Sequence, residues 1–186
     1  MKGEEYGRFC YNKKALAGAL KELLNEEPFS KISIGDICER CGMNRKSFYY
    51  HFKDKYDLVN WIFDYEFDVY PKLHAHVKGN WRFLEELCDY LYENKGYYRK
   101  ILKITGQNSF ADHFAELLFP RVKARIQETM EGEQLEDMFV RFFCDSIVCA
   151  IKRWLLEREP MHPDEFLPKT KMLFIKAAGM IKDIED

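Results

Sequence analysis

Between Ser33 and Lys55 the chain reads SIGDICERCGMNRKSFYYHFKDK, which sets three helix starts and one glycine stop in close succession. Few folds are open to such a segment. Ser33 and Asp36 stand three apart, as an N-cap and the acidic partner of a capping box, so a helix opens at Ile34. Ile34, Ile37, Cys38 and Cys41 recur at three- and four-residue steps and give that helix one apolar face. Gly42 follows where a helix C-terminus needs a left-handed backbone, which a residue without Cβ takes freely. Asn44 is a good N-cap for a second short helix. On it Phe48, His51 and Phe52 share one face, and Arg45, Lys46, Tyr49 and Tyr50 lie largely on the other. Lys53, Asp54 and Lys55 begin a third helix. This is the grammar of a helix-turn-helix unit, whose second helix enters the DNA major groove.

Arg45 and Lys46 occupy the first turn of that helix, where cations oppose the dipole at a cost of about a few tenths of a kcal/mol each. The placement implies that the charges serve a partner. Arg45, Lys46, Ser47 and Tyr49 are the expected contacts to base edges. Ser33, Tyr50, Lys53 and Lys55 are the expected contacts to phosphate, and Asn44, as the cap, belongs to the same site.

The segment resembles the DNA-binding domain of the TetR family of bacterial transcriptional regulators. The matching residues are Ser33, Asp36-Ile37-Cys38, Cys41-Gly42-Met43, Phe48 to Phe52 and Lys53-Asp54-Lys55. Cysteines stand where that family more often has Ala, and Tyr50-His51 where it often has His-Tyr. Further on, Tyr90 to Lys95 and Gly106 to Phe110 resemble the dihydroxyacetone-kinase-activator-like subgroup. The resemblance implies a homodimer with a small-molecule pocket in its helical body. The subgroup adds the option of a partner protein acting on that body. Repression is preferred to activation.

Charge is distributed as a DNA-binding head requires. The net charge of the 186 residues is −2. Residues 1–55 hold eleven Lys/Arg against eight Asp/Glu, whereas residues 56–186 hold eighteen against twenty-three. A local basic patch on a mildly acidic body suits groove binding. No apolar run approaches the roughly 18 residues that span a bilayer, and Met1 to Asn12 lacks the core of a signal peptide. A cytoplasmic protein without membrane contact is expected. Six cysteines there are free thiols rather than a disulfide framework. Cys38-x-x-Cys41 has no second ligand pair for zinc, and small apolar packing is its bland alternative.

The expected fold is all-α: a three-helix helix-turn-helix head over residues 1–55 and a larger helical regulatory and dimerisation body over 56–186. Helices are expected at about Asn12–Glu26, Asp54–Tyr70, Asn80–Lys95, Tyr97–Ile104, Ser109–Met130 with a break or kink at Pro120, Gln134–Arg158, and Pro163 or Pro168 to Ile184. Leu58, Ile62 and Tyr65 should pack on the head, with Trp61 or Phe63 toward the body. The helix over Gln134–Arg158 is apolar around most of its girth and needs two partners. The last helix carries small Ala178 and Gly179, which permit close approach. Both are expected to pair with their symmetry mates in a four-helix bundle, through Phe143, Ile147, Ile151, Trp154, Phe174, Ala178 and Ile181.

Trp61, Trp81, Phe110 and Phe114 are candidates for an effector pocket. His74 and His76 are two apart and point in different directions, so no metal pair forms, and His113 and His162 have no partner in sequence. No Ser/His/Asp or Cys/His arrangement, Gly-rich phosphate loop or cofactor motif stands out, so no catalytic residues, metal or cofactor are expected. The reading is a homodimer that binds a palindromic double-stranded operator and answers to a small molecule or partner protein. The alternative is a helical ligand- or protein-binding module that has lost DNA binding.

Overall fold

A computed structural model of the chain describes residues 2–69, 82–104, 109–129 and 136–182. Among these the regular elements are helices, in the order α1 Lys2–Glu26, α2 Ile34–Arg40, α3 Arg45–His51, α4 Lys55–Val69, α5 Arg82–Glu93, α6 Lys95–Ile101, α7 Phe110–Thr129, α8 Asp137–Leu156 and α9 Pro163–Lys182. The all-α reading holds. α1 starts ten residues earlier than Asn12. Once a helix is nucleated each further residue adds a bond at little cost, and no proline or capping motif interrupts Lys2 to Tyr11. α7 runs on through Pro120, where a break or kink was expected. A proline removes one N–H from the ladder, and α7 has helical turns on both sides of it.

Two compact units form. The first comprises Met1–Tyr70 with Gly96–His113, the second Pro71–Lys95 with Phe114–Asp186. The head therefore takes in α4 and most of α6, in addition to residues 1–55.

In the first unit, Leu16, Ala19, Leu20 and Leu23 of α1 are buried, as their spacing predicts, and Phe29 and Ile32 fill the gap before α2. Ile37, Phe48, Phe52, Leu58, Val59 and Ile62 complete the core under the helix-turn-helix. Phe63 is enclosed within the same unit, its ring 6.0 Å from Tyr98 and 5.0 Å from Phe110. Trp61 stacks on Tyr65 at 5.0 Å and meets Phe52 at 5.7 Å. Polar ties join the elements. Arg40 donates to both carboxylate oxygens of Glu26 at 2.7 Å, linking α2 to α1. Lys21 pairs with Glu66, which also accepts from the Tyr98 hydroxyl at 3.4 Å, and Lys100 donates to Asn25 at 2.8 Å. His113 meets Asp64 at 2.7 Å.

Lys55 is part of this frame. Its Nζ donates to the carbonyls of Phe29 and Ile32, both at 2.7 Å, and lies 4.4 Å from the Phe29 ring centroid. Burial lowers its pKa from the ordinary lysine value. The ammonium expected on phosphate instead pins the start of α4 to the loop between α1 and α2.

In the second unit, α5 buries Phe83, Leu87, Cys88, Tyr90 and Leu91 and packs against α9 and α8. α8 turns Val140, Cys144, Ile147, Val148, Ile151, Trp154 and Leu155 inward. Trp154 is held between rings: Phe166 is stacked on it at 4.4 Å and Tyr92 at 6.0 Å, and its indole N–H donates to the Met161 carbonyl at 2.8 Å. Ile151 and Trp154 are each only 2% exposed and Ile147 6%. These three, expected at a dimer interface, are taken up by the core of the second unit. The outward face of α8 carries Met138, Phe142 and Cys149, with Phe142 64% exposed. Phe143 is half-buried between the two faces. Phe174, Ala178 and Ile181 lie on α9, but their side chains are outside the description.

Replacing Lys55 with Met keeps an apolar stem but leaves two carbonyls without their donor. Hydrogen bonds to a charged group contribute about 1.5–3 kcal/mol. Urea unfolding should show Lys55→Met less stable by about 2 kcal/mol.

Candidate nucleic-acid interface

The helix-turn-helix is built by caps rather than by length, because seven-residue helices do not hold themselves in water. At α2 the Ser33 hydroxyl accepts from Asp36 N at 3.2 Å, and Asp36 accepts from Ser33 N at 2.7 Å. This is the capping box that the three-residue spacing predicts. The turn closes on Gly42, whose φ of 67° is left-handed, and Met43 N donates back to the Cys38 carbonyl at 2.8 Å. Asn44 then caps α3, accepting from Ser47 N at 2.8 Å and from the Ser47 hydroxyl at 3.2 Å. Asp54 opens α4 by accepting from Tyr56 N and Asp57 N, both at 2.8 Å, while Asp57 accepts from Lys53 N at 2.9 Å.

Three fixed starts within one segment determine which way α3 faces. Phe48 is fully buried and Phe52 3% exposed, their rings 5.7 Å apart. The opposite side presents Arg45, Lys46, Tyr49 and Tyr50 to solvent, with the two tyrosines 58% and 74% exposed. Lys53 is exposed directly beyond. Of the nine residues expected at a DNA surface, eight lie along the rim of α2, α3 and the α3–α4 corner, seven of them exposed and Ser47 half-buried. Ser33, Asn44 and Ser47 are held there by their caps. Lys55 is turned inward, as described above.

The Arg45 guanidinium lies across Gly35, in the first turn of α2. Sequence reasoning missed Gly35. The available signal was a glycine inside a helix without a turn or cap to explain it.

Behind α3, Asn12 of α1 lies 3.5 Å from His51 Nε2, and the Lys13 ammonium stands 5.2 Å from the Phe52 ring and 5.3 Å from Trp61. His51 is held below the 6.5 of a free imidazole, first by burial and then by the Lys13 charge. Cys38 and Cys41 have thiol pKa values raised chiefly by burial, and the Cys41 thiol donates to the Ile37 carbonyl at 3.3 Å. Both pack as small apolar residues and are poor nucleophiles. Among the described residues no group of three or more His, Cys, Asp or Glu is placed to hold a metal ion.

Of the pocket candidates, Phe110 and Phe114 stand one turn apart on α7. Trp61 belongs to the ring cluster of the head, Phe110 sits against Phe63, and Phe114 is fully buried. Trp81 lies outside the described residues. A crevice in the second unit, among Leu84, Cys88, Ile147, Ile151, Phe166 and Lys171, has room for about one water molecule.

A capped, basic helix-turn-helix on a helical body defines a DNA-binding transcriptional regulator. Residues 16–62 match the family described as "Bacterial regulatory proteins, tetR family", and residues 79–176 match the TetR "Transcriptional regulator C-terminal region". The chain belongs to the TetR family, whose members regulate transcription and are not enzymes. It is 28% identical over 146 residues to the HTH-type dhaKLM operon transcriptional activator DhaS of Lactococcus lactis, covering 75% of this chain and 76% of that one. It is 20% identical over 156 residues to an HTH-type transcriptional regulator of Staphylococcus aureus, covering 81% and 83%. Two solved structures share the fold. A TetR regulator from Streptococcus agalactiae superposes with a TM-score of 0.68 at 22% identity, covering 91% of this chain and 96% of that one. The dihydroxyacetone kinase operon activator DhaS superposes with 0.60 at 21% identity, covering 91% and 97%.

The lowered pKa of His51 has a defined sign. In the range just below 6.5 the unfolded chain takes up a proton before the folded head does, so acidification weakens the fold and neutral pH restores it. Thermal melting at pH 7 and pH 5 should show a larger drop in Tm for the parent than for His51→Gln.

Proposed function

We propose that the protein is a cytoplasmic, homodimeric regulator that binds an imperfectly palindromic operator and represses the genes it controls. The observation that carries the reading is α3 itself, whose exposed side gathers Arg45, Lys46, Tyr49 and Tyr50 while Phe48 locks the other side into the core. Arg45, Lys46 and Tyr49 are read as the contacts to base edges, with Ser47 offering its remaining acceptor capacity. Ser33, Asn44, Tyr50 and Lys53 line the rim where phosphates would run. Lys55 is left out of this set because its ammonium already serves two carbonyls. No helix among the described residues is long and apolar enough to cross a membrane.

One recognition helix touches few base pairs, so specificity calls for two, about one turn of DNA apart. The outward stripe of α8, Met138, Phe142 and Cys149, together with Met172 and Leu173 of α9, is the apolar surface available to a second copy. Its burial would complete a bundle of α8 and α9 with their mates. The body is read as the seat of control, by a small molecule or by a partner protein, through a shift in the population of DNA-competent dimers. A relative is named an operon activator, so the sign of regulation is tested directly. A footprint over the promoter and lower transcript with the protein present support repression; an upstream footprint with higher transcript supports activation.

Selection of duplexes from a random pool at stated salt tests the core claim, and an enriched palindrome is the expected result. Arg45→Ala should weaken binding to that site by about 1–3 kcal/mol and blur one position in each half-site. Lys53→Ala should weaken binding to all sequences alike and reduce the salt slope by about one per half-site. At the interface, Phe142→Glu should yield monomers by analytical ultracentrifugation with the subunit fold intact. Ile147→Ala should instead cost about 2–5 kcal/mol of subunit stability.

A further inference from the structure

Gly35 occupies the second position of α2, with helical backbone on both sides. Nothing in that conformation requires a glycine: its φ is not left-handed, and Gly42 is the positive-φ glycine of the head. In a helix glycine is less favourable than alanine and than most other residues, so the local backbone favours almost any other residue here. What a side chain would meet is Arg45. A Cβ built on Gly35 would lie 2.6 Å from a terminal guanidinium nitrogen of Arg45 and 3.3 Å from its Cζ. Both distances fall inside van der Waals contact, so guanidinium and Cβ cannot share the space.

The crowding is also selective. The same Cβ would stand 3.2 Å from the Ser33 hydroxyl, which needs to give by only a few tenths of an ångström. The group that must move is the far end of the arginine, the most flexible part of the neighbourhood. Charge favours the seated position. Asp36, one residue on, is kept ionised by its bonds to Ser33, and the Arg45 charge acts on it in the same sense. Among the described residues no hydrogen bond or ion pair to another side chain fixes Arg45, so the open space over Gly35 and the nearby carboxylate set where its guanidinium rests.

We propose that Gly35 is a specificity-determining residue of the DNA-binding head: its bare Cα is the seat that places the Arg45 guanidinium, and a side chain there moves Arg45 to other bases. The inference rests on the reading of Arg45 as a base-edge contact. Gly35 is a positioning residue that need not touch DNA. An arginine restrained across the first turn of α2 reaches a different part of the groove from one pushed away from it. Because a good bidentate base contact discriminates by about fivefold to 150-fold, the change reads out as preference and not only as affinity.

The test is duplex selection at fixed salt with the parent, Gly35→Ala, Arg45→Ala and the double variant. Gly35→Ala should melt at or above the parent, as alanine favours the helix. It should change the selected base at the same half-site positions that Arg45→Ala blurs, with at least about a fivefold loss on the parental site. The double variant should select what Arg45→Ala alone selects. A second pair, Arg45→Lys with and without Gly35→Ala, should select alike, since the shorter lysine leaves the seat empty. If Arg45→Ala alters selection but Gly35→Ala selects the parental site, the seat is overturned while the recognition helix stands. If the Gly35→Ala change persists undiminished without Arg45, the effect does not pass through the arginine and the inference fails. If Arg45→Ala itself selects the parental site, both the base contact and the seat are overturned.

Discussion

Burial of Phe48 is the constraint on which the DNA-binding head depends. A helix of seven residues has too few internal hydrogen bonds to persist alone. Its stability comes from what it packs against, and one fully buried ring supplies about 1.5–3 kcal/mol by the apolar area it removes from water. Phe48 also sets rotation. With that ring inward against Phe52, the residues at the other azimuth, Arg45, Lys46, Tyr49 and Tyr50, have no choice but to face solvent. The caps at Ser33, Asn44 and Asp54 then fix where each helix begins, so the exposed side is held in translation as well as rotation.

Around that core, charge is divided between two roles. Arg40 and Lys21 hold α1 to α2 and α4 through carboxylates, and Lys55 serves backbone carbonyls. These cations belong to the scaffold. Arg45, Lys46 and Lys53 are exposed, and Arg45 and Lys46 stand at a helix start where the dipole disfavours them. The same residue types thus separate by environment: a scaffold cation has its acceptors within the protein, while a recognition cation finds them in a partner.

The two halves of the chain differ in how legible they were. In the head, cap spacing, the glycine stop and the alternation of Phe48 and Phe52 with polar residues are signals between residues at most four apart, and each was found where predicted. α8 is the contrary case. It is apolar around most of its circumference, so periodicity could not tell the side that packs into the core from the side left exposed. Ile147, Ile151 and Trp154 were read as outward and are inward, because α5 and the Phe166 ring of α9 cover them. Phe142, one residue from Phe143 in sequence, is left exposed together with Met138 and Cys149. Trp61 and Phe110 look like pocket residues by type alone, and both are used to fill the head.

Local order was therefore written in the sequence: the helical class, the position of the turn, the recognition helix and its basic first turn. These follow from hydrogen bonds and side-chain steps that close within one or two helical turns. Tertiary structure alone decided that the Lys55 ammonium turns inward to two carbonyls, that α8 shows Phe142 rather than Ile151, and that the Arg45 guanidinium rests over Gly35. Each of those depends on packing against a part of the chain distant in sequence. The free energy of such a contact is set by the geometry of the packed state, and spacing along the chain carries no record of it.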